Sequence, residues 1–263
     1  ADAGLAAVVA QHNAAAIGWL LTAKDDHRER IEELASGAKL ACCGHVTGPT
    51  IGGMYADVLV VGGVEVTVRE LNDADRTPFD MLGLRTAGAA RLAFSDDPPN
   101  TLSPSADLTT TAAYKRVNGL VRLATAAIAL GIGQRALEEG VGYSLERVQF
   151  GKPIARFQAL QWMTADAATD LTAAELLLNK AAWLYDQGRA FEDAAARCHH
   201  LCVRVARAAA DRALQMHGGY GYTEDFPVER LYRDAYSLHA LTGRTDAARI
   251  DVAMALASAT APR

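Results

Sequence analysis

Helical periodicity is the feature that most narrows what this chain can become. Apolar and alanine positions recur at intervals of three and four across residues 114–145, 155–185, 191–216, 228–241 and 247–257. Repeats of that length predict five helices, and alanine-rich faces let helices approach closely, so a bundle is the expected architecture. An alanine face left over once the core is filled suits packing against another subunit. Gly188 closes one helix and Pro153 opens another, as the capping asymmetry of helices requires. Two glycine pairs, Gly131 with Gly133 and Gly140 with Gly142, fall inside a helix and read as close helix contacts, not phosphate cradles.

The first hundred residues follow other periods. Residues 4–21 and 23–35 read as two helices, the second with Thr22 as N-cap, Asp25 and Asp26 in its first turn and Gly37 just past its end. Residues 4–21 are the one candidate for a targeting or membrane segment. Gln11, His12 and Asn13 interrupt them and no basic region precedes them, so a buried helix is expected. From Ala38 the pattern shifts to short β-rich runs, KLACCGHV, ADVLVVGG, VEVTVREL and AARLAFSD, bounded by Gly, Pro and Asp. Pro98, Pro99 and Pro104 then mark a linker. The expected fold is mainly α with a reduced β-domain: helical residues 1–37, a small β-domain at 38–97, a linker at 98–112 and a helical bundle at 113–263. A chain of 263 residues is long enough for such a division.

Charge and cysteine usage bound the function. The formal net charge is −5, with arginine well mixed among acids, which argues against a nucleic-acid surface. No membrane association is expected either. The four cysteines, Cys42, Cys43, Cys198 and Cys202, form no spaced disulfide framework, so a cytoplasmic location is expected. CHHLC at residues 198–202 puts two cysteines on one helix face, but His199 and His200 point elsewhere and no second ligand pair stands nearby; the site is read as packing and no metal is assigned.

Two stretches carry the chemistry. RVQFGKPIARFQALQ at residues 147–161 offers Arg147, a planar donor fork suited to a pyrophosphate. QMHGGYGYTEDFPVERLYRD at residues 215–234 leaves the main chain bare at Gly218, Gly219 and Gly221, where a ligand can approach backbone N–H groups. In wording and spacing the two resemble the C-terminal domain of the acyl-CoA dehydrogenase family of flavoproteins. QHNAAAIGWLL and KDDHRERIEELASGAKLA resemble the end of that family's N-terminal helical domain, which implies that most of that domain is missing. MLGLRTAGAARLAFSD at residues 81–96 resembles its middle β-domain. That segment is shorter than the family's, and VTGPTIGG at residues 46–53 leads almost directly into ADVLVVGG, as if the strands that wall the flavin ring were deleted.

The resemblance implies that Arg147, Gln149 and Phe150 reach across a subunit interface to a neighbour's FAD, and that Gln215, Gly218, Gly219 and Gly221 form the loop on its adenosine side. It also shows what is lost. The family's catalytic glutamate falls here on Thr242, followed by Gly243 and Arg244, and the alternative base position falls on Val121 beside Arg122. A threonine hydroxyl is far too weakly basic to take a proton from the carbon next to a thioester carbonyl. The acid that usually precedes the family's arginine by three falls on Gly119, and His239, near Thr242, reads as a packed or exposed helix residue. No catalytic residue is therefore assigned to this chain. The pattern resembles the shorter, non-catalytic subunit of heteromeric α2β2 acyl-CoA dehydrogenases of actinobacteria, which act on CoA thioesters of steroid side chains. It implies a partner subunit that supplies the glutamate, binds most of the acyl-CoA and shares the FAD. Two alternatives stay open: a homo-oligomeric flavin oxidase or hydroxylase on the same fold, and a structural or regulatory protein of that fold without flavin.

Overall fold

In the computed structural model the described residues are 3, 6–10, 13, 28–36, 38–44, 49–50, 54–56, 58–61, 67–71, 76–92, 100–101, 110–241 and 245–260. They group into two compact units, Ala1–Val121 and Arg122–Arg263. The first contains a helix, α1 (Arg28–Ala35), and two small sheets. One sheet has the order β1 (Ala41–Gly44), β3 (Val58–Val61), β4 (Thr67–Glu70) and β7 (Asn100–Thr101); the other has β2 (Pro49–Thr50), β6 (Ala90–Leu92) and β5 (Arg76–Pro78). β1 and β3 run parallel and the remaining pairs antiparallel. Cys42, Ala56 and Leu71 are buried together with Leu92 packed on them.

Four of these strands lie inside the β-rich runs expected from the sequence. The short β2, β5 and β7 do not, and β7 comes from the proline-rich stretch, where two residues pair with Thr67 and Val68. Residues 6–10 are helical, as expected, and α1 covers the end of the second expected helix. Thr22, Asp25, Asp26 and Gly37 lie outside the described residues.

The helical half matches the periodicity closely. α2 spans Thr110–Glu146, α3 Gln158–Asp186, α4 Glu192–His217, α5 Val228–Leu241 and α6 Thr245–Thr260. α4 is the centre of its unit and packs on α3, α5 and α6. It buries Cys198, Cys202, Val205, Ala209, Ala213 and Met216 at three- and four-residue steps, the spacing of one helical face. Gly188 ends α3 as expected, with φ 64°, its N–H donating to Tyr185 O at 2.9 Å while Arg189 N–H donates to Leu184 O at 3.0 Å. Pro153 does something other than expected. It pairs in a hairpin strand and precedes a short 3-10 turn, Ile154–Arg156, before α3 begins at Gln158.

Small residues bring α2 against α4. A Cβ on Gly133 would lie 2.7 Å from Leu171 Cδ2 and 3.0 Å from Ala206 Cα; one on Gly140 would lie 2.8 Å from Met216 Sδ and 3.2 Å from Ala213 Cα. Gly131 and Gly142 face open space, so only one member of each pair makes the expected contact. Residues two apart on a helix point in nearly opposite directions. Gly131→Ala should therefore raise stability by about 0.5–1 kcal/mol through helix propensity alone. Gly133→Ala should lower it by about 1–2 kcal/mol, because the Ala206 backbone must give way. Urea unfolding of the two variants checks the opposite signs.

α2 is also apolar enough, over Lys115–Glu146, to cross a membrane by length and composition. Residues 4–21, the candidate segment in the sequence, lie mostly outside the described residues. Alanine and leucine raise the hydropathy of any bundle helix, and α2 puts its small residues against α4.

Candidate functional site

The two motif stretches meet in the second unit. α2 ends at Glu146, and Arg147 N–H donates to Tyr143 O at 2.9 Å. The chain then turns through a hairpin of β8 (Val148–Gln149) and β9 (Lys152–Pro153), in register Val148 to Pro153 and Gln149 to Lys152. Its two turn residues, Phe150 and Gly151, both have positive φ, 52° and 76°. A two-residue hairpin of this kind follows the right-handed twist of the strands. Glycine takes that conformation freely. Phenylalanine does so only under strain. Ile154 N–H donates to Arg147 O at 2.9 Å and ties the hairpin back to the helix end. Phe150 is thereby held 92% exposed, with the Phe157 ring perpendicular to it at a centroid distance of 6.2 Å.

At the far end of α4, Gly218 stops the helix with φ 60° and ψ −134°, a conformation that residues with a Cβ avoid, and its N–H donates to Gln215 O. A short 3-10 turn, Gly218–Tyr222, follows. Gly218 and Gly219 face open space. A Cβ on Gly221, by contrast, would lie 2.6 Å from Leu214 O, so that glycine lets the turn fold back onto α4.

These elements enclose an open cavity of about 480 Å³. Of the sequence-predicted residues it brings together Arg147, Gln149, Gln215, Gly218 and Gly219. Gly221 supports the turn from behind, and Phe150 stands at the hairpin tip; neither lines the cavity. Sequence reasoning passed over Tyr143, His217, Tyr220 and Thr223, which do line it. Tyr143 lies one helical turn before Arg147, a spacing that puts both on one face. The His217 ring stacks on Tyr143 at 4.2 Å and meets the Phe226 ring at 5.1 Å. His217 Nδ1 donates to Ala213 O at 2.8 Å, and Nε2 is buried without a hydrogen-bond partner among the described residues. Thr223 Oγ1 donates to Tyr220 O at 2.9 Å and holds the loop's end. In the FPVERLYRD stretch, Glu229 takes two hydrogen bonds from Arg233, at 2.8 and 3.0 Å, which brace the first turns of α5.

The cavity thus offers a guanidinium, side-chain amides, bare main chain and flat aromatic faces. That donor set fits an anionic ligand with an aromatic group, such as a dinucleotide.

The base positions give a different picture. Thr242, Gly243 and Arg244 lie outside the described residues, as does the side chain of His239. Val121 is half-buried on α2, and Gly119 is buried. Arg122 is buried, and its Nη2 forms an ion pair at 2.6 Å with Asp251 of α6. The fold therefore brings an acid to this arginine that no local motif announced. The pair reads as a link between α2 and α6. In the CHHLC stretch, the Cys198 and Cys202 sulfurs share a face 3.7 Å apart, and Cys202 donates to Ala174 O at 3.7 Å. The contact from Cys202, together with burial, holds the Cys198 thiol well above the usual thiol range.

Residues 113–257 match the C-terminal domain of acyl-CoA dehydrogenase. The chain belongs to the acyl-CoA dehydrogenase family. It is 42% identical over 132 residues to an acryloyl-CoA reductase (NADH) of Anaerotignum propionicum, a match covering 50% of this chain and 34% of that protein. It is 35% identical over 185 residues to a probable acyl-CoA dehydrogenase of Bacillus subtilis, covering 68% of this chain and 48% of that one. Among solved structures, butyryl-CoA dehydrogenase of Megasphaera elsdenii shares the fold with a TM-score of 0.86 at 26% identity, over 97% of this chain and 78% of that one. The chain thus spans about a third to a half of the length of the curated relatives it matches.

Proposed function

We propose that this chain is one subunit of a heteromeric, FAD-dependent acyl-CoA dehydrogenase that desaturates a CoA thioester, of a steroid side chain on the resemblance of its sequence. The family is FAD-dependent. The observation that carries the reading is the convergence of Arg147, Gln149, Gln215, Gly218 and Gly219 on one cavity, with Phe150 projecting beside it. FAD supplies the hydride acceptor for removing two hydrogens across a carbon–carbon bond. Arg147 would hold the pyrophosphate through its planar fork, and Gln149 and Gln215 would hydrogen-bond the nucleotide end. Gly218 and Gly219 would let that end lie against bare backbone, and Phe150 would cover the flavin from across a subunit interface.

The chain's own sequence supports a division of labour. Threonine at 242 and valine at 121 leave both family base positions without a carboxylate. A partner subunit would supply the glutamate and most of the acyl-CoA site in an α2β2 assembly, in a cytoplasmic setting.

Co-expression with a neighbouring dehydrogenase gene tests this. The expected product is an equal-stoichiometry complex that turns over an acyl-CoA; an oxidase or hydroxylase on the same fold would instead turn over without the second subunit, and a flavin-free structural protein would never turn over. Thr242→Glu should leave the lone chain inactive, because a restored carboxylate has no flavin ring to work against. Turnover by that variant alone would contradict the division of labour.

A further inference from the structure

α3 packs on α4 and buries Ala167, Leu171, Ala174 and Ala181 on one side. At about 100° per residue the opposite side carries Trp162, Ala165, Thr169, Thr172, Leu176 and Trp183, all of them exposed. The large ones, Trp162, Leu176 and Trp183, are 61, 66 and 51% exposed. One such side chain on a surface needs no explanation, but a stripe of them along a single helix does. Thr169 and Thr172 extend it, because their hydroxyls donate back to Ala165 O and Ala168 O, each at 2.8 Å, and leave the methyl groups to the surface. Trp162, Thr169, Leu176 and Trp183 also fall at steps of seven, the repeat by which one helix seats along another at a shallow crossing angle.

The stripe reads nearly alike from either end. Laid antiparallel against a second copy, with the two-fold axis between residues 172 and 173, it sets Trp162 level with Trp183 of the copy and Thr169 level with Leu176. The small Thr172 and Ala173 then lie at the axis, where bulk would hold the helices apart. Charge obeys the same symmetry. Asp166 and Lys180 flank the stripe on the same side, and the antiparallel pair brings each within about one residue's rise of the other, twice in every dimer. Asp166 is 68% exposed and reaches Arg212 only at 3.9 Å; Lys180 is exposed without an ion pair among the described residues. A parallel pair would instead set like charges against each other. We infer that α3 is a self-docking surface, along which two copies of this chain pack antiparallel about an axis at Thr172 and Ala173. The inference stands apart from the FAD reading, because none of these residues lines the cavity.

Two experiments on the full chain test this. The first is cross-linking with a short bismaleimide, with the unaltered protein as blank. Thr172→Cys should link two copies of this chain. Gln161→Cys, on the same helix and equally exposed, should not, because an antiparallel pair holds its two copies about 35 Å apart along the axis. The second is sedimentation equilibrium of charge reversals. Asp166→Lys and Lys180→Asp should each weaken self-association about tenfold, by setting two like-charged pairs into the interface, and the double reversal should restore it. No linkage at Thr172→Cys, linkage only to an unlike chain, or equal linkage at Gln161→Cys overturns the inference. So does self-association that ignores both reversals, or a double reversal as weak as the single ones. Each of these readouts is taken without flavin, so none of them bears on the FAD site.

Discussion

Arg147→Ala is expected to strip FAD from the assembled protein. A guanidinium on a pyrophosphate makes charge-assisted hydrogen bonds, each worth about 1.5–3 kcal/mol, so the dissociation constant should rise about ten- to a hundredfold. Arg147→Lys should fall between, because an ammonium is a point charge without the planar fork. Arg156 is a fitting control. It is exposed, lies on the same connecting segment and does not line the cavity. Arg156→Ala should therefore retain flavin like the wild type. Flavin released on denaturation, measured against protein concentration, reads all three, and an unchanged content in Arg147→Ala would remove the anchor from the proposed site.

The second large effect concerns stability. Asp251→Ala leaves the Arg122 guanidinium buried without its anion, and breaking such a pair costs about 3–5 kcal/mol when both partners are buried. The Asp251 side chain is 55% exposed, so solvent screens part of the interaction and about 1–3 kcal/mol is the better expectation. Arg122→Met should cost less, since it removes the buried charge and leaves an aspartate that water can solvate. The double variant should return most of the loss. Thermal unfolding of the single and double variants completes the cycle, and simple additivity would mean that the pair does not link α2 to α6.

The long helices were legible because a helix that buries one face must repeat at 3.6 residues. Their ends were less so. α2 starts at Thr110, ahead of the periodic stretch, and the turn at Ile154–Arg156 delays α3, because local hydrogen bonding and not hydrophobic pattern decides the last turn. Strands of two or three residues such as β2 and β7 carry too few side chains to show alternation at all.

Five of the seven expected residues, Arg147, Gln149, Gln215, Gly218 and Gly219, stand in recognisable wording and line one cavity. Tyr143 was missed although it lies one turn from Arg147. Its role is set by stacking on His217, a contact between distant parts of the chain. Asp251 was missed for the same reason: α6 reaches Arg122 only through tertiary packing, and no local spacing records it.

The proposed division of labour gives this chain the nucleotide half of a flavin whose reactive ring sits in another subunit. Counting flavin per chain by visible absorption, in the protein purified alone and with its genomic neighbour, tests it most directly. A colourless protein alone, and one flavin for each pair of unlike chains together, are expected. A full complement of flavin in the lone protein would contradict it.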